Sequence, residues 1–223
     1  MRRVGLLALM LLAGCASTPQ VPSPTTAVAE TSYVVQTGDT LYSIAFKRGL
    51  DYREVARWNG IGSDYRIYIG QTLTLKPPAG ALPPVPTPVT PPATTEPPPS
   101  APPHWSWPTD GPVIGTVTQP TGGTGLRLGG AGSAEVRAAA AGRVVYVGSG
   151  LRAYGLLVIV KHDESWLTAY GYNHDVVVHE GDTVHEGQIL AHMGEGPGAV
   201  PMLYFEIRRQ GKPVDPLKYL PKR

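Results

Sequence analysis

Near the end of the chain, Tyr204, Glu206 and Arg208 occupy alternate positions in the stretch MLYFEIRRQG. In a strand, alternate side chains share one face, so a phenol, a carboxylate and a guanidinium would stand in one row. Leu203, Phe205 and Ile207 would line the other face, as in a strand with one side on a core. Tyrosine and arginine are enriched at the energetic centres of protein interfaces, so the row suits recognition. Glu206 has a plainer alternative, an ion pair with Arg208 two positions on. The other residues with chemistry to offer are His104, His162, His174, His179, His185 and His192. The last four are separated by five, six and seven positions, which is no compact ligand set, and all six are read as surface or turn residues. His174, two positions after Tyr172, is the best of them as a ligand.

These residues need a scaffold, and 223 residues suffice for one or two small domains. The 24 prolines and 27 glycines exceed what one compact domain carries, and the prolines gather in one block, which marks a spacer. The formal charge of +2 includes Arg2 and Arg3; removing a leader that carries them leaves 2 − 2 = 0, and nothing argues for nucleic acid. That leader, MRRVGLLALMLLAGCAST, has an apolar run from Val4 to Leu12 that is too short to span a bilayer, which predicts a cleaved export signal. Cys15 is the only cysteine, so no internal disulfide can form. Leu12-Ala13-Gly14-Cys15 resembles the lipobox of bacterial lipoproteins. The resemblance implies a signal peptide over 1–14, acylation of Cys15 and a lipid anchor; an ordinary secretory signal is the alternative. Ala16 after the cysteine implies, by the same resemblance, the outer membrane. A flexible Ser/Thr/Pro tether follows over 15–32.

From Tyr33 the pattern becomes compact. Tyr33 to Val35 is strand-like; Asp39 can cap a helix in which Leu41, Ile44 and Ala45 recur at helical spacing. Asp51 with Glu54 makes a capping box for a second helix, with Val55 and Trp58 inward, and Asn59-Gly60 stops it. Tyr68 to Leu75 returns as a strand, kinked at Gly70-Gln71. The segment 33–76 resembles a LysM module of βααβ order through GDTL at 38–41, WNGI at 58–61 and IGQTL at 69–73. The resemblance implies binding of N-acetylglucosamine-containing glycans, here peptidoglycan. The implied shallow groove lies between Gly38, Asp39, Thr40 and Leu41 on one side and the segment from Asn59 to Ile61 on the other. Backbone amides would bond sugar acetamides there, with Leu41 and Ile61 covering the sugar faces. A turn and a helix cap at Gly38 and Asp39 are the alternative.

Residues 77–104 are Pro-rich, which excludes helix and central strand. A polyproline-type spacer rises about 3.1 Å per residue, so this one could reach on the order of 80 Å. From Trp105 onward, 105–223, short β segments broken by glycine predict an all-β sandwich or barrel: RVVYVG, GLLVIVKH, WLTAYGY, QILAHMG and MLYFEIR. The predicted architecture is multidomain, a small α+β module and an all-β domain joined by a Pro-rich linker.

AAAAGRVVYVG, YGLLVIVKH, LTAYGYN, GDTVHEGQILAHMG and LYFEIRRQGKPVDPLKYL resemble, in order, the LytM domain of lysostaphin-like zinc metallopeptidases. In active members a His, an Asp four residues on and the second His of a His-x-His motif hold zinc, with further histidines assisting. Carried over position by position, the first ligand falls on Gly123, the aspartate on Arg127 and the strand histidine on Tyr204. The histidine before it falls on Met202, and the catalytic histidine after a strand tyrosine on Tyr172. Glycine offers no ligand, and a guanidinium with pKa above about 12 repels a cation. A phenol with pKa near about 10 replaces imidazole badly, and thioether sulfur suits zinc badly. No metal or other cofactor is expected.

Tyr170 and Tyr172 are read as same-face neighbours looking into the old substrate groove beside Tyr204 and Arg208, with Tyr154 at its rim and Arg127 at its floor. The alternative is that these tyrosines only cover the sheet. Lipobox, LysM and metal-less LytM together resemble the murein hydrolase activators of the NlpD and EnvC kind. That resemblance implies a non-catalytic lipoprotein facing the periplasm at the division septum. Its implied partners are peptidoglycan strands, outer-membrane lipid and a periplasmic N-acetylmuramoyl-L-alanine amidase. A structural tether between membrane and wall, and a zinc endopeptidase with unorthodox ligands, are the other readings.

Overall fold

The computed structural model describes residues 31–77, 101–118 and 124–223. Cys15, most of the spacer and Gly123 lie outside the described residues, and so do the expectations that fall on them.

The first module is built from β1 (Ser32–Val34), α1 (Leu41–Arg48), α2 (Tyr52–Trp58) and β2 (Thr72–Thr74). β1 and β2 pair antiparallel with Tyr33 opposite Leu73. The cap of α1 is Thr40, one residue later than expected: Thr40 accepts from the Ser43 amide and Ser43 Oγ accepts from the Thr40 amide. Serine at this place closes the reciprocal box that glutamate usually closes. Asp39 is freed to accept from Tyr33 Oη at 2.7 Å and from the Gln36 amide at 2.9 Å. Asp51 caps α2 through the Arg53 amide, and Glu54 reaches along the helix to Arg57 at 3.5 Å. At the far end Asn59 ties the helix to the sheet: its Nδ2 donates to Val55 and Thr74 carbonyls and its Oδ1 accepts from the Thr74 amide.

The second module is an antiparallel β structure. Its strands are β3 (Val113–Thr118), β4 (Thr124–Gly129), β5 (Glu135–Arg137), β6 (Gly142–Gly148), β7 (Leu156–Lys161), β8 (Trp166–Val176) and β9 (Thr183–Val184). They continue with β10 (Ile189–Met193), β11 (Glu195–Gly196), β12 (Val200–Arg209) and β13 (Lys212–Val214). The main path runs β3-β4-β12-β8-β7-β6-β9, so β12 lies between β4 and β8. Leu203, Phe205 and Ile207 enter a core with Leu126, Leu128, Val158, Val160, Trp166 and Trp105, as their alternation predicts.

The opposite face of this sheet is apolar as well. Leu157 and Ile159 of β7 and Leu167 and Ala169 of β8 join Leu41, Ile44, Phe46, Tyr52 and Val55 of the first module in one buried cluster. The described residues between 31 and 223 therefore form one compact unit, with the first module seated on the β domain. The sequence separates them by a spacer; the structure brings them together because β7 carries apolar residues on both faces, and both must be covered.

Candidate functional site

β12 pairs with β4 through Tyr204 opposite Arg127, and with β8 through Tyr204 opposite Gly171, Glu206 opposite Ala169 and Arg208 opposite Leu167. Directly opposed residues share a face, so these side chains stand on the sheet surface away from the main core. Tyr204, Glu206 and Arg208 are nonetheless 2 %, 0 % and 2 % exposed. Tyr204 Oη and Arg208 Nε each donate to the Glu206 carboxylate. The ion pair between Glu206 and Arg208 is therefore formed, and it is buried. Burial, then the Glu206 charge, push the Tyr204 phenol far above its ordinary value, so it remains a proton donor.

Small residues make room for this row. A Cβ on Gly125 would overlap the Tyr204 phenol, and one on Gly171 would come within 2.8 Å of the Tyr154 carbonyl oxygen. A short 3-10 turn, Arg152–Tyr154, brings the Tyr154 ring edge-on to Tyr204 at 5.2 Å. Tyr172 closes the other end, 6.3 Å from Tyr204 between ring centres, with its hydroxyl donating to the Ala153 carbonyl at 3.0 Å. Met202 is buried beside Gly196. Arg127 is exposed on β4, and among the described residues its side chain makes no hydrogen bond or ion pair.

Tyr170 is not in the groove. It is fully buried in the main core, its ring 5.5 Å from Phe205, and its hydroxyl accepts from the Ala139 amide at 2.8 Å and from Thr168 Oγ1 at 2.9 Å. Strict alternation would give Tyr170 and Tyr172 one face, but the β7–β8 ladder slips between Leu156 and Val158. Tyr172 takes up the extra residue at φ 61°, a left-handed conformation that a bulky side chain seldom adopts. Asn173 braces the bulge by donating to the Leu156 carbonyl at 2.8 Å and the Tyr170 carbonyl at 2.7 Å. Strain of this kind collects at functional positions.

His162 departs from its reading as a surface residue. Its ring contacts Trp105 edge-on, Nδ1 bonds the Ala141 carbonyl and Nε2 bonds Thr168 Oγ1, both at 2.8 Å. Burial pushes its pKa down to about 4.

The peptidase likeness raises the question of zinc, and these residues do not fit it. The carboxylate of the row, Glu206, is engaged by Tyr204 and Arg208, and a guanidinium stands at 127. Among the described residues no group of three or more His, Cys, Asp or Glu side chains could hold a metal ion.

Of the expected glycan contacts, Leu41 is 1 % exposed and part of the buried cluster, so its side chain cannot cover a sugar. Asn59 is engaged in the α2–β2 staple, and Ile61 is half-buried against the same cluster. The Asp39 and Thr40 amides already donate to the Gln36 carbonyl and to Ser43 Oγ. Gly38 and Asp39 line a cavity of about 300 Å³ whose other wall is residues 146–151 of the β domain. The sequence reading missed the face of the β domain that the first module covers. The run LLVIV in β7 carried the signal, since a half-solvated strand would alternate.

Residues 33–76 match the LysM domain family and residues 121–216 match peptidase family M23. The chain thus combines a LysM domain with an all-β, LytM-like domain. It is 39 % identical to the lipoprotein NlpD/LppB homolog of Pseudomonas aeruginosa over 99 % of this chain and 91 % of that protein. It is 38 % identical to the uncharacterized lipoprotein YgeR of Escherichia coli, over 95 % of this chain and 89 % of that one. To the murein hydrolase activator NlpD of Escherichia coli it is 34 % identical, over 86 % of this chain and 68 % of that one. The chain belongs to the NlpD/LppB family of lipoproteins.

Proposed function

We propose that this chain is a non-catalytic, peptidoglycan-binding lipoprotein that activates a periplasmic N-acetylmuramoyl-L-alanine amidase. Septal peptidoglycan is then split and daughter cells separate. The observation that carries this reading is the row Tyr204, Glu206 and Arg208, framed by Tyr154 and Tyr172, where the peptidase likeness calls for zinc ligands. The carboxylate of this phenol–carboxylate–guanidinium chain is engaged by its two donors instead of standing ready to ligate a metal ion. The row does offer aromatic edges and a fixed cation, the chemistry of a protein-binding centre. Relatives that carry the name murein hydrolase activator support the same direction.

Activation requires that the groove bind one amidase conformation better than another, here the one whose blocking helix has left its active site. Cys15 supplies the lipid anchor in the outer membrane and the LysM module the wall contact. Arg127, exposed beside the row, is the cation free to meet the partner first. The test is dye release from labelled peptidoglycan. The chain alone should release none, and adding it to a purified periplasmic amidase should raise release at least tenfold. Release by the chain alone that a chelator abolishes, or an amidase rate unmoved by the chain, would overturn the reading.

A further inference from the structure

We propose that the LysM module is an intramolecular plug: the last turn of α1 fills the partner groove, and a partner binds by displacing it. This rests on the activator reading of the groove and adds its regulation.

The groove's binding chemistry is already spent on the chain's own helix. Arg208 Nη1 donates to the Phe46 carbonyl at 2.7 Å, and its guanidinium lies 3.4 Å from the centre of the Phe46 ring. The same ring meets Tyr154 edge-on at 5.4 Å, so Phe46, Tyr154 and Tyr204 stack in sequence. Lys212, just past β12, donates to the Gly49 carbonyl at 3.2 Å. These carbonyls belong to the C-terminal end of α1, which carries unpaired acceptors and the negative end of the helix dipole. Two cations at the end of β12 cap it.

The seat is shaped as well as charged. At Gly211, φ is 72°, and a Cβ there would overlap the Leu50 carbonyl oxygen, so only glycine lets the β12–β13 turn approach the module so closely. At the other edge, Tyr52 and Tyr65 hydroxyls donate to Glu164 Oε2 at 3.2 and 3.0 Å. Lys161, ion-paired to the same carboxylate, lies 5.3 and 5.1 Å from those two rings. Burial opposes ionisation of Glu164, but hydrogen bonds from Lys161, Tyr65 and Tyr52 outweigh it and hold its pKa below the ordinary value.

A groove occupied this way binds an outside partner with an affinity reduced by the fraction of chains in which the plug is out. The spacer keeps the plug at high effective concentration, because it never diffuses away. A displacing partner must offer what Phe46 offers, a backbone carbonyl for Arg208 and an apolar ring or chain beside Tyr154.

The test uses the full-length acylated chain in detergent and the double variant Glu164→Arg with Lys212→Glu. Both positions are exposed and outside the groove row; the first change removes the acceptor shared by the Tyr52 and Tyr65 hydroxyls and the second sets a carboxylate against the Gly49 carbonyl. Hydrogen exchange over residues 41–58 and 152–155 reports release of the plug. Amidase assays give the chain concentration for half-maximal stimulation. The expected result is faster exchange with half-saturation at five- to tenfold lower concentration and an unchanged maximal rate. Faster exchange with unchanged half-saturation overturns the plug and leaves the activator reading standing. No stimulation by either chain sinks the activator reading and the plug with it. If the variant stays protected, the wild-type chain decides. Amidase binding should deprotect residues 41–58, and full protection in the bound complex refutes displacement.

Discussion

At the scale of single residues, the buried row is held by mutual satisfaction. Removing one partner of a buried ion pair costs roughly 3–5 kcal/mol, whereas replacing both with apolar groups is often near neutral. Arg208→Met should therefore destabilise the chain by about 3 kcal/mol in urea unfolding, because it leaves the Glu206 carboxylate with Tyr204 alone. The pair Glu206→Leu with Arg208→Met should recover most of that loss, and additive losses would show that the ion pair is not the determinant. His162 gives a second expectation, in pH. Its folded pKa of about 4 lies below the ordinary value of 6.5, so the neutral ring is favoured by folding. Above pH 6.5 the ring is neutral in both states and contributes no pH dependence. As pH falls below 6.5, the unfolded chain takes up a proton that the folded chain refuses until about pH 4. Stability should drop by on the order of 2 kcal/mol across that window, after allowance for the ring's partial exposure. His162→Gln, which never titrates, should remove that slope, and a slope unchanged in the variant would assign it to other groups.

At the scale of elements, capping and alternation made much of the chain legible. The two LysM helices, the five clearest β segments and the outward row on β12 follow from local patterns whose cause is local. What could not be read has a non-local cause. Tyr170 and Tyr172 part company because a bulge, braced by Asn173 against the Leu156 carbonyl of the neighbouring strand, inserts one residue. Leu41 looked like a sugar platform because nothing in its own helix shows that β6, β7 and β8, far along the chain, would complete the same cluster. The α2–β2 staple is another such pairing, and it is testable. Asn59→Ala deletes both the donor and the acceptor that serve Thr74 and Val55, each part-buried or at the rim. The loss of such hydrogen bonds should destabilise the module by roughly 1–3 kcal/mol. Hydrogen exchange should localise the effect to residues 55–75, and a uniform change across the chain would contradict a local staple.

At the scale of the whole molecule, the shared apolar cluster ties the two modules' stabilities together. A LysM module of some 45 residues buries too little surface to be more than marginally stable by itself. Lifting it off the sheet exposes Leu157, Ile159, Leu167 and Ala169, which are 0 %, 0 %, 5 % and 1 % exposed when it is seated. At about 1.5–3 kcal/mol for each of these large apolar side chains, less what released chains rebury, that is on the order of 5 kcal/mol of coupling from this face. Coupling of that size is comparable to the net stability of a small domain. It is large enough to keep the groove covered and small enough for a protein partner to overcome. The chain should therefore melt in one calorimetric transition whose measured enthalpy equals its van't Hoff enthalpy. In the Glu164→Arg, Lys212→Glu chain the seat is weakened without touching either core, and the trace should split, with the LysM module melting first. Two separate transitions in the unaltered chain would mean that the modules fold independently, and the apolar seat between them would then contribute little.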